Sequence, residues 1–302
     1  MSPASPLRVA ITGATGMIGS MLQPALAAGG HQVIRIVRRA PAAGEIRWDP
    51  EGRGLDPASL AGVDAVVHLA GENIGVRWTA GRKRAIVESR TRGTRLLVDA
   101  MTKAPDGPRT LVSASAIGFY GERGEEEVTE VSPPGTGFLP EVCIAWEANA
   151  MAAADAGVRV VTIRTGLVLT KAGGVLQRML LPFRLGLGGR LGDGQQWMSW
   201  VSSDDLIGVY RHALEGDMRG PLNAVAPAAV RNREFTAALG RALHRPAVLV
   251  VPKTALRLAF GEMADAAILA STHVLPAALE RTGYRFLHPD LDRALAHELG
   301  KV

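Results

Sequence analysis

The residues with the clearest chemical purpose are Gly13, Gly16 and Gly19, spaced GxxGxxG directly behind the apolar run Val9-Ala10-Ile11. Each place requires a missing side chain for its own reason. Gly13 permits a tight turn, Gly16 lets the backbone approach a pyrophosphate, and Gly19 lets the following helix lie close to the strand. The helix N-terminus beyond them offers unpaired N–H donors and partial positive charge, so phosphate can settle there without a dedicated cation. Thr15, Met17 and Ile18 fill the same turn and first helical residues and are expected to touch the same group. Arg38 and Arg39 stand at the end of the next strand, where a site reading a ribose 2′-hydroxyl would carry Asp or Glu. Two guanidinium groups suit a 2′-phosphate instead, so the expected cofactor is NADP(H).

The elements that must hold these residues can be read from periodicity. Arg8 to Arg39 reads as strand, glycine turn, helix, strand, with Ile18, Met21, Leu22, Ala25 and Leu26 at helical spacing and Gly29-Gly30 as the stop. Further apolar strands near Val66, Val112 and Val160 alternate with helical patterns, which predicts an α/β fold with a Rossmann-type doubly wound parallel sheet. Ile46-Arg47-Trp48 reads as a short additional strand. Ligands of such sheets lie beyond the carboxyl ends of the strands, so Leu69, Ala70, Gly71, Ser113, Ser115 and Arg164 are expected to line one crevice.

Lys171 to Ser203 is broken by glycines and Pro182 and reads as an irregular substrate lid. Asp204-Asp205 opens a helix through Ala213, and Leu222 to Val225 returns to the sheet. Asn232 is expected to cap a helix to about Leu243, Val248 to Val251 to form a strand, and Asp290 to Leu299 to form the last helix. The expected organisation is a Rossmann domain over residues 7-170, to which 204-226 return, and a smaller C-terminal substrate lobe within 171-302.

Composition limits the partners. The 302 residues are 47% hydrophobic and 21% charged, and no stretch approaches the roughly 18 uncharged apolar residues of a membrane span, so no membrane partner is expected. The start, MSPASPLR, lacks the pattern of a secretion signal, and Cys143 is the lone cysteine, which excludes an intramolecular disulfide and makes a reducing cytoplasm the expected home. The net charge of +5 is spread along the chain, with no basic tail and little aromatic interleaving, which argues against nucleic acid. The densest basic stretch, Gly81 to Arg95, reads as a helix with a solvated face, some of whose cations have an anionic cofactor or substrate as the alternative neighbour. The seven histidines show no H-E-x-x-H or similar spacing, so no metal site is expected. His68 reads as a hydrogen-bonded core histidine.

Together VAITGATGMIG, DAVVHLAG, TLVSASAIGFYG, VVTIRTGLVL and WVSSDDL resemble the extended short-chain dehydrogenase/reductase superfamily in order and spacing. HLAGENIGVRWTAGRKRAIVESRTRGT, GDGQQWMSWVSSDDL and the C-terminal LRLAFGEMADAAILASTHVLPAALERTGYRF resemble one atypical subgroup, the epimerase-family proteins, sometimes tied by name to a bacterial cell-division inhibitor and ending in a small domain of unknown function.

The resemblance implies a Tyr-x-x-x-Lys pair on a helix facing the nicotinamide, with a Ser holding the substrate oxygen, and a homodimer. Ser115 fits the serine. No Tyr-x-x-x-Lys exists: Tyr120, Tyr210 and Tyr284 are followed four residues later by Gly124, Leu214 and His288. On the helix around FLPEVCIAWE, the matching places hold Cys143 and Glu147, which share one face. A carboxylate raises a neighbouring thiol's pKa, opposite to the effect of Lys, so Cys143 reads better as a packed side chain than as an acid.

The catalytic candidates are therefore Ser115, Glu147, Cys143, Tyr120 and Glu72, the last directly following the third strand. Gln196, Trp197 and Trp200 match the substrate-side stretch of extended members. Two functions follow: an NADP(H)-dependent oxidoreductase or epimerase on a small polar substrate, or an NADP(H)-binding regulatory protein with little turnover.

Overall fold

The computed structural model describes residues 5–52 and 54–300. Its centre is an eight-stranded sheet: β1 (Arg8–Thr12), β2 (Gln32–Val37), β3 (Ile46–Asp49), β4 (Gly54–Leu55), β5 (Ala65–His68), β6 (Thr110–Ala116), β7 (Arg159–Thr165) and β8 (Gly220–Ala224). The spatial order is β8-β7-β6-β5-β1-β2-β3-β4, and every pairing is parallel except β3 with β4. Strand order reverses at β1, whose neighbours are β2 on one side and β5 on the other, and a crevice opens there beyond the strand ends.

Helices cover both faces, as burial of a parallel sheet requires. On one face α1 (Met17–Ala28) and, farther along the chain, α5 (Ser203–Glu215) bury Leu22, Leu26, Leu206 and Val209 against Val9, Ile11, Val67 and Val161. On the other, α2 (Ala80–Lys103) buries Leu97 and Met101 against Ala10, Ile34, Val66 and Leu111, and α3 (Phe138–Met151) packs beside it. Successive residues of β1 thus face opposite layers, the period of two that makes its run continuously apolar.

The stretch from Lys171 contains a regular element that its glycines and Pro182 concealed. Helix α4 (Gly174–Arg184) buries Leu176, Leu180 and Phe183 and carries Pro182 near its end. These side chains join a separate core with Phe235 and Leu239 of α6 (Asn232–Leu243) and with Leu291 and Leu295 of a C-terminal helix (Leu291–Glu298). Asn232 is the first residue of α6 rather than its cap, because its Oδ1 is engaged 2.8 Å from the Leu191 N–H. Among the described residues, no helix is long and apolar enough to cross a membrane.

Candidate functional site

The glycine turn between β1 and α1 is built around absent side chains. Gly13 has φ +65°, and a Cβ there would lie 2.8 Å from the Leu69 carbonyl carbon; a Cβ on Gly19 would lie 2.4 Å from the Gly13 oxygen. The Gly16 N–H donates to the Gly13 carbonyl at 2.9 Å, and α1 begins with no side-chain cap and no acidic residue in its first turn. The turn that leads into α1 lines a cavity of about 580 Å³ whose walls include Thr15, Gly16, Arg38, Arg39, Ala70 and Gly71. Met17 packs its thioether against Gly173 and Gly174, so the segment before α4 covers the start of α1. Ile18, the next residue of that first turn, packs partly buried against the core beneath.

A hydrogen-bonded seam fixes the opposite wall. The Thr12 hydroxyl accepts from the Leu69 and Ala70 N–H groups at 3.1 and 3.2 Å, so its own proton goes to His68 Nδ1 at 2.7 Å. His68 consequently carries its proton on Nε2 and donates to the Thr94 hydroxyl at 3.0 Å. Complete burial, reinforced by the nearby Arg90 charge, lowers its pKa to about 4, so it is a neutral structural group as the sequence suggested.

The arginines divide. Arg39 is held by Glu45 at 2.7 Å and by the Ala40 carbonyl, and Arg35 shares the same Glu45 oxygen. Arg38 makes no ion pair among the described residues and projects exposed at the cavity wall. Within the basic stretch, Arg82 pairs with Glu72 and Lys83 with Glu262, which fits the solvated-face reading. Arg92 instead lines the cavity, donating to the Glu51 carbonyl at 3.0 Å. Arg90 turns inward beneath Gly71 and stacks 4.9 Å over Trp146, with the Ile86 carbonyl as its one hydrogen-bond partner among the described residues. Sequence reasoning flagged the stretch but could not single out these two, because the face of a long helix is chosen by what packs on it.

At the crevice end of β6, the Ser115 hydroxyl donates to Glu147 Oε1 at 2.6 Å. Arg164 clamps that carboxylate with two bonds of 2.8 Å, through Nε and Nη2. Its remaining nitrogen donates to the Tyr120 hydroxyl at 2.9 Å, which in turn donates to Asn223 Oδ1 at 2.7 Å. Burial opposes the Arg164 charge, but Glu147 and Tyr120 together more than offset it and the pKa lies above the usual arginine value. Ser115, Glu147 and Arg164 thus form one connected unit where the superfamily resemblance placed a Tyr/Lys pair.

Several expected roles change. Arg164 is spent on Glu147 and on stacking 3.5 Å over Phe119, leaving it as the organiser of the carboxylate instead of a cofactor contact. Tyr120 is wholly buried, and burial raises its pKa despite Arg164, so it is a core hydroxyl and not a proton donor in the crevice. Cys143 is packed with Phe119, Val128 and Val274, and burial, with Glu147 beside it, pushes its thiol up to about 12.

Ser113 is fully buried with its hydroxyl on the Ala114 carbonyl. Glu72 lines the cavity but its carboxylate is taken by Arg82 at 2.9 Å. Trp200 is a core residue whose indole donates to Ala228, and Gln196 is buried against the Leu191 carbonyl. Trp197 remains partly open, stacked between His273 at 4.2 Å and the Arg231 guanidinium at 4.0 Å.

A parallel sheet of this order, with a glycine turn at its switch point and a serine and a helix carboxylate at the neighbouring strand end, defines a dinucleotide-binding protein of the short-chain dehydrogenase/reductase type. The chain belongs to the NAD dependent epimerase/dehydratase family, which residues 9–224 match, and residues 251–298 match a domain of unknown function, DUF1731. It is 46% identical over 292 residues to the epimerase family protein Mb2239 of Mycobacterium bovis, covering 96% of each chain. It is 39% identical to human epimerase family protein SDR39U1, covering 96% of this chain and 98% of that one. The crystal structure of that human protein (isoform 2) with NADPH superposes with a TM-score of 0.89 at 36% identity, over 98% of this chain and 100% of the other. A nucleoside-diphosphate sugar epimerase from Corynebacterium glutamicum is 40% identical with a TM-score of 0.81, covering 98% of this chain and 59% of that one.

Proposed function

We propose that the chain binds NADP(H) and acts as an oxidoreductase or epimerase on a small polar substrate presenting a hydroxyl, with Ser115 and Glu147 in place of the Tyr/Lys pair. The observation that carries this reading is that the uncapped glycine turn with its Arg38 cavity wall and the Ser115–Glu147–Arg164 unit both stand at the carboxyl-terminal edge of the same parallel sheet. The human relative's NADPH supports the choice of cofactor. Gly13, Gly16 and the first turn of α1 would hold the pyrophosphate, and Arg38 the 2′-phosphate. When bound, the nicotinamide supplies hydride exchange.

The chain's own residues supply the proton path. Because the Ser115 proton points to Glu147, the serine oxygen is left as an acceptor, which selects a substrate group that donates. A substrate hydroxyl held there passes its proton to Ser115 Oγ as the serine proton moves to Glu147 Oε1. Arg164 holds the carboxylate aimed for that transfer. Arg90, with four of its N–H groups lacking a partner among the described residues, suits an anionic group at the inner end of the crevice.

One observation favours a second reading, a binding or regulatory protein with little turnover: the thiol at the tyrosine place and the nearby phenol are both buried and hard to ionise. Loss of a positioned acid forfeits about 10² to 10⁴ in rate.

Thermal melting with NADPH and with NADH tests the shared part, since a ligand of the native state raises apparent stability by mass action. NADPH should stabilise more strongly at equal concentration, and Arg38→Ala should weaken NADPH by roughly 10- to 100-fold while sparing NADH. Equal shifts would remove the 2′-phosphate assignment. Turnover across a panel of sugar nucleotides and small hydroxy compounds, lost in Ser115→Ala and Glu147→Gln, supports the enzyme. Tight binding without turnover on that panel supports the regulator.

A further inference from the structure

We infer that Asp204, His288 and His297 form a binding site for a first-row divalent transition metal such as Zn²⁺, remote in role from the dinucleotide crevice. The three come from different elements: Asp204 from the first turn of α5, His288 from the segment before the C-terminal helix, and His297 from the last turn of that helix. Their ligand atoms all lie within 4.8 Å of one another. His297 Nε2 is 2.8 Å and His288 Nε2 3.5 Å from the same Asp204 Oδ2, with the two imidazoles stacked at 4.3 Å.

The two nitrogen–oxygen separations are those a metal requires. Ligands about 2.0 to 2.2 Å from a tetrahedral Zn²⁺ stand about 3.3 Å apart, and the two nitrogen–oxygen distances bracket that value. Two imidazoles and one carboxylate are also the mixed nitrogen and oxygen donor set that suits such ions, with a fourth position left for water.

The triangle is held by buried groups beside each ligand, which separates it from a chance meeting of surface side chains. Asp205, next to Asp204 and 1% exposed, accepts the backbone N–H groups of Leu287 and His288 at 2.7 and 3.0 Å. Glu298, next to His297 and also buried, bonds the Ser203 hydroxyl and its N–H. Both contacts fix the backbones that carry the imidazoles onto the N-terminus of α5. A metal there would close a link between positions 93 residues apart in the chain and staple the C-terminal module to the Rossmann sheet.

The test is calorimetric titration of untagged, chelator-treated full-length protein with Zn²⁺, paired with the visible spectrum of the Co²⁺ form. One saturable equivalent per chain, a four-coordinate Co²⁺ spectrum and a rise in melting temperature are expected. His288→Ala and His297→Ala should each weaken binding by about 10- to 100-fold or more. Asp204→Asn keeps the shape of the side chain and guards against a folding defect, and it should weaken binding while its metal-free melting temperature stays at the wild-type value. Non-saturating uptake by the wild type, or equal affinity in all three variants, overturns the site.

Discussion

Glu147 inverts the electrostatics of the position it occupies. A lysine there would favour an ionised partner, whereas a carboxylate, even clamped by Arg164, adds to burial in pushing the Cys143 thiol up and directs the Ser115 proton towards itself. On the proposed reading, chemistry at this site begins with a base and an acceptor, which is why a substrate hydroxyl is proposed. His68 gives the residue-scale prediction. Its pKa falls from 6.5 in the unfolded chain to about 4 in the fold, so between those values the unfolded state binds the extra proton. The stabilisation is complete above pH 6.5 and is lost as pH falls towards 4. Urea unfolding should show a loss from this group of about 2 kcal/mol between pH 7 and pH 5. His68→Gln should lose less stability over that interval, and parallel curves for the two proteins would refute the assignment.

At the scale of elements, the β1–α1 unit depends on backbone approaching backbone. Gly19 sits in ordinary helical conformation, so the obstacle to a side chain there is space alone: the added methyl would press on the Gly13 oxygen and on Ala14. Gly19→Ala should cost about 1 to 3 kcal/mol in chemical unfolding and should weaken NADPH more than it weakens the fold, because the turn that presents the N–H groups must shift. Retained NADPH affinity in a folded Gly19→Ala protein would show that the turn is not the phosphate cradle. Helix α2 makes a complementary point. Its N-terminal charges pair outward, with Glu72 and Glu262, while Arg90 and Arg92 on later turns meet Trp146 and the cavity wall.

The whole molecule is a sheet to which the chain returns after leaving it. β8 joins beside β7, Asn223 on it receives the Tyr120 hydroxyl, and Asp205 then anchors the far C-terminal segment through Leu287, His288 and the Tyr284 hydroxyl. Asp205→Ala would leave two partly buried N–H donors unpaired, at about 1 kcal/mol each. Melting temperature should fall, and hydrogen exchange at Leu287 and His288 should accelerate before exchange in β1 or β6 does. Unchanged protection there would mean that the segment is held by its apolar contacts instead. The sequence alone determined the alternation of strands and helices, the glycine turn, the absence of Tyr-x-x-x-Lys and the pairing of Cys143 with Glu147 on one helical face. Those features are local, written in side-chain periodicity and spacing that neighbouring residues enforce. Only the tertiary structure decided that Arg164 belongs to Glu147, that Tyr120 is buried, that Arg38 is open while Arg39 is tied, and that Asp204 meets two histidines. Each of these is a contact between distant segments, and which partner a charged or polar side chain finds is set by how the sheet and its covering layers close, information that no stretch of sequence carries by itself.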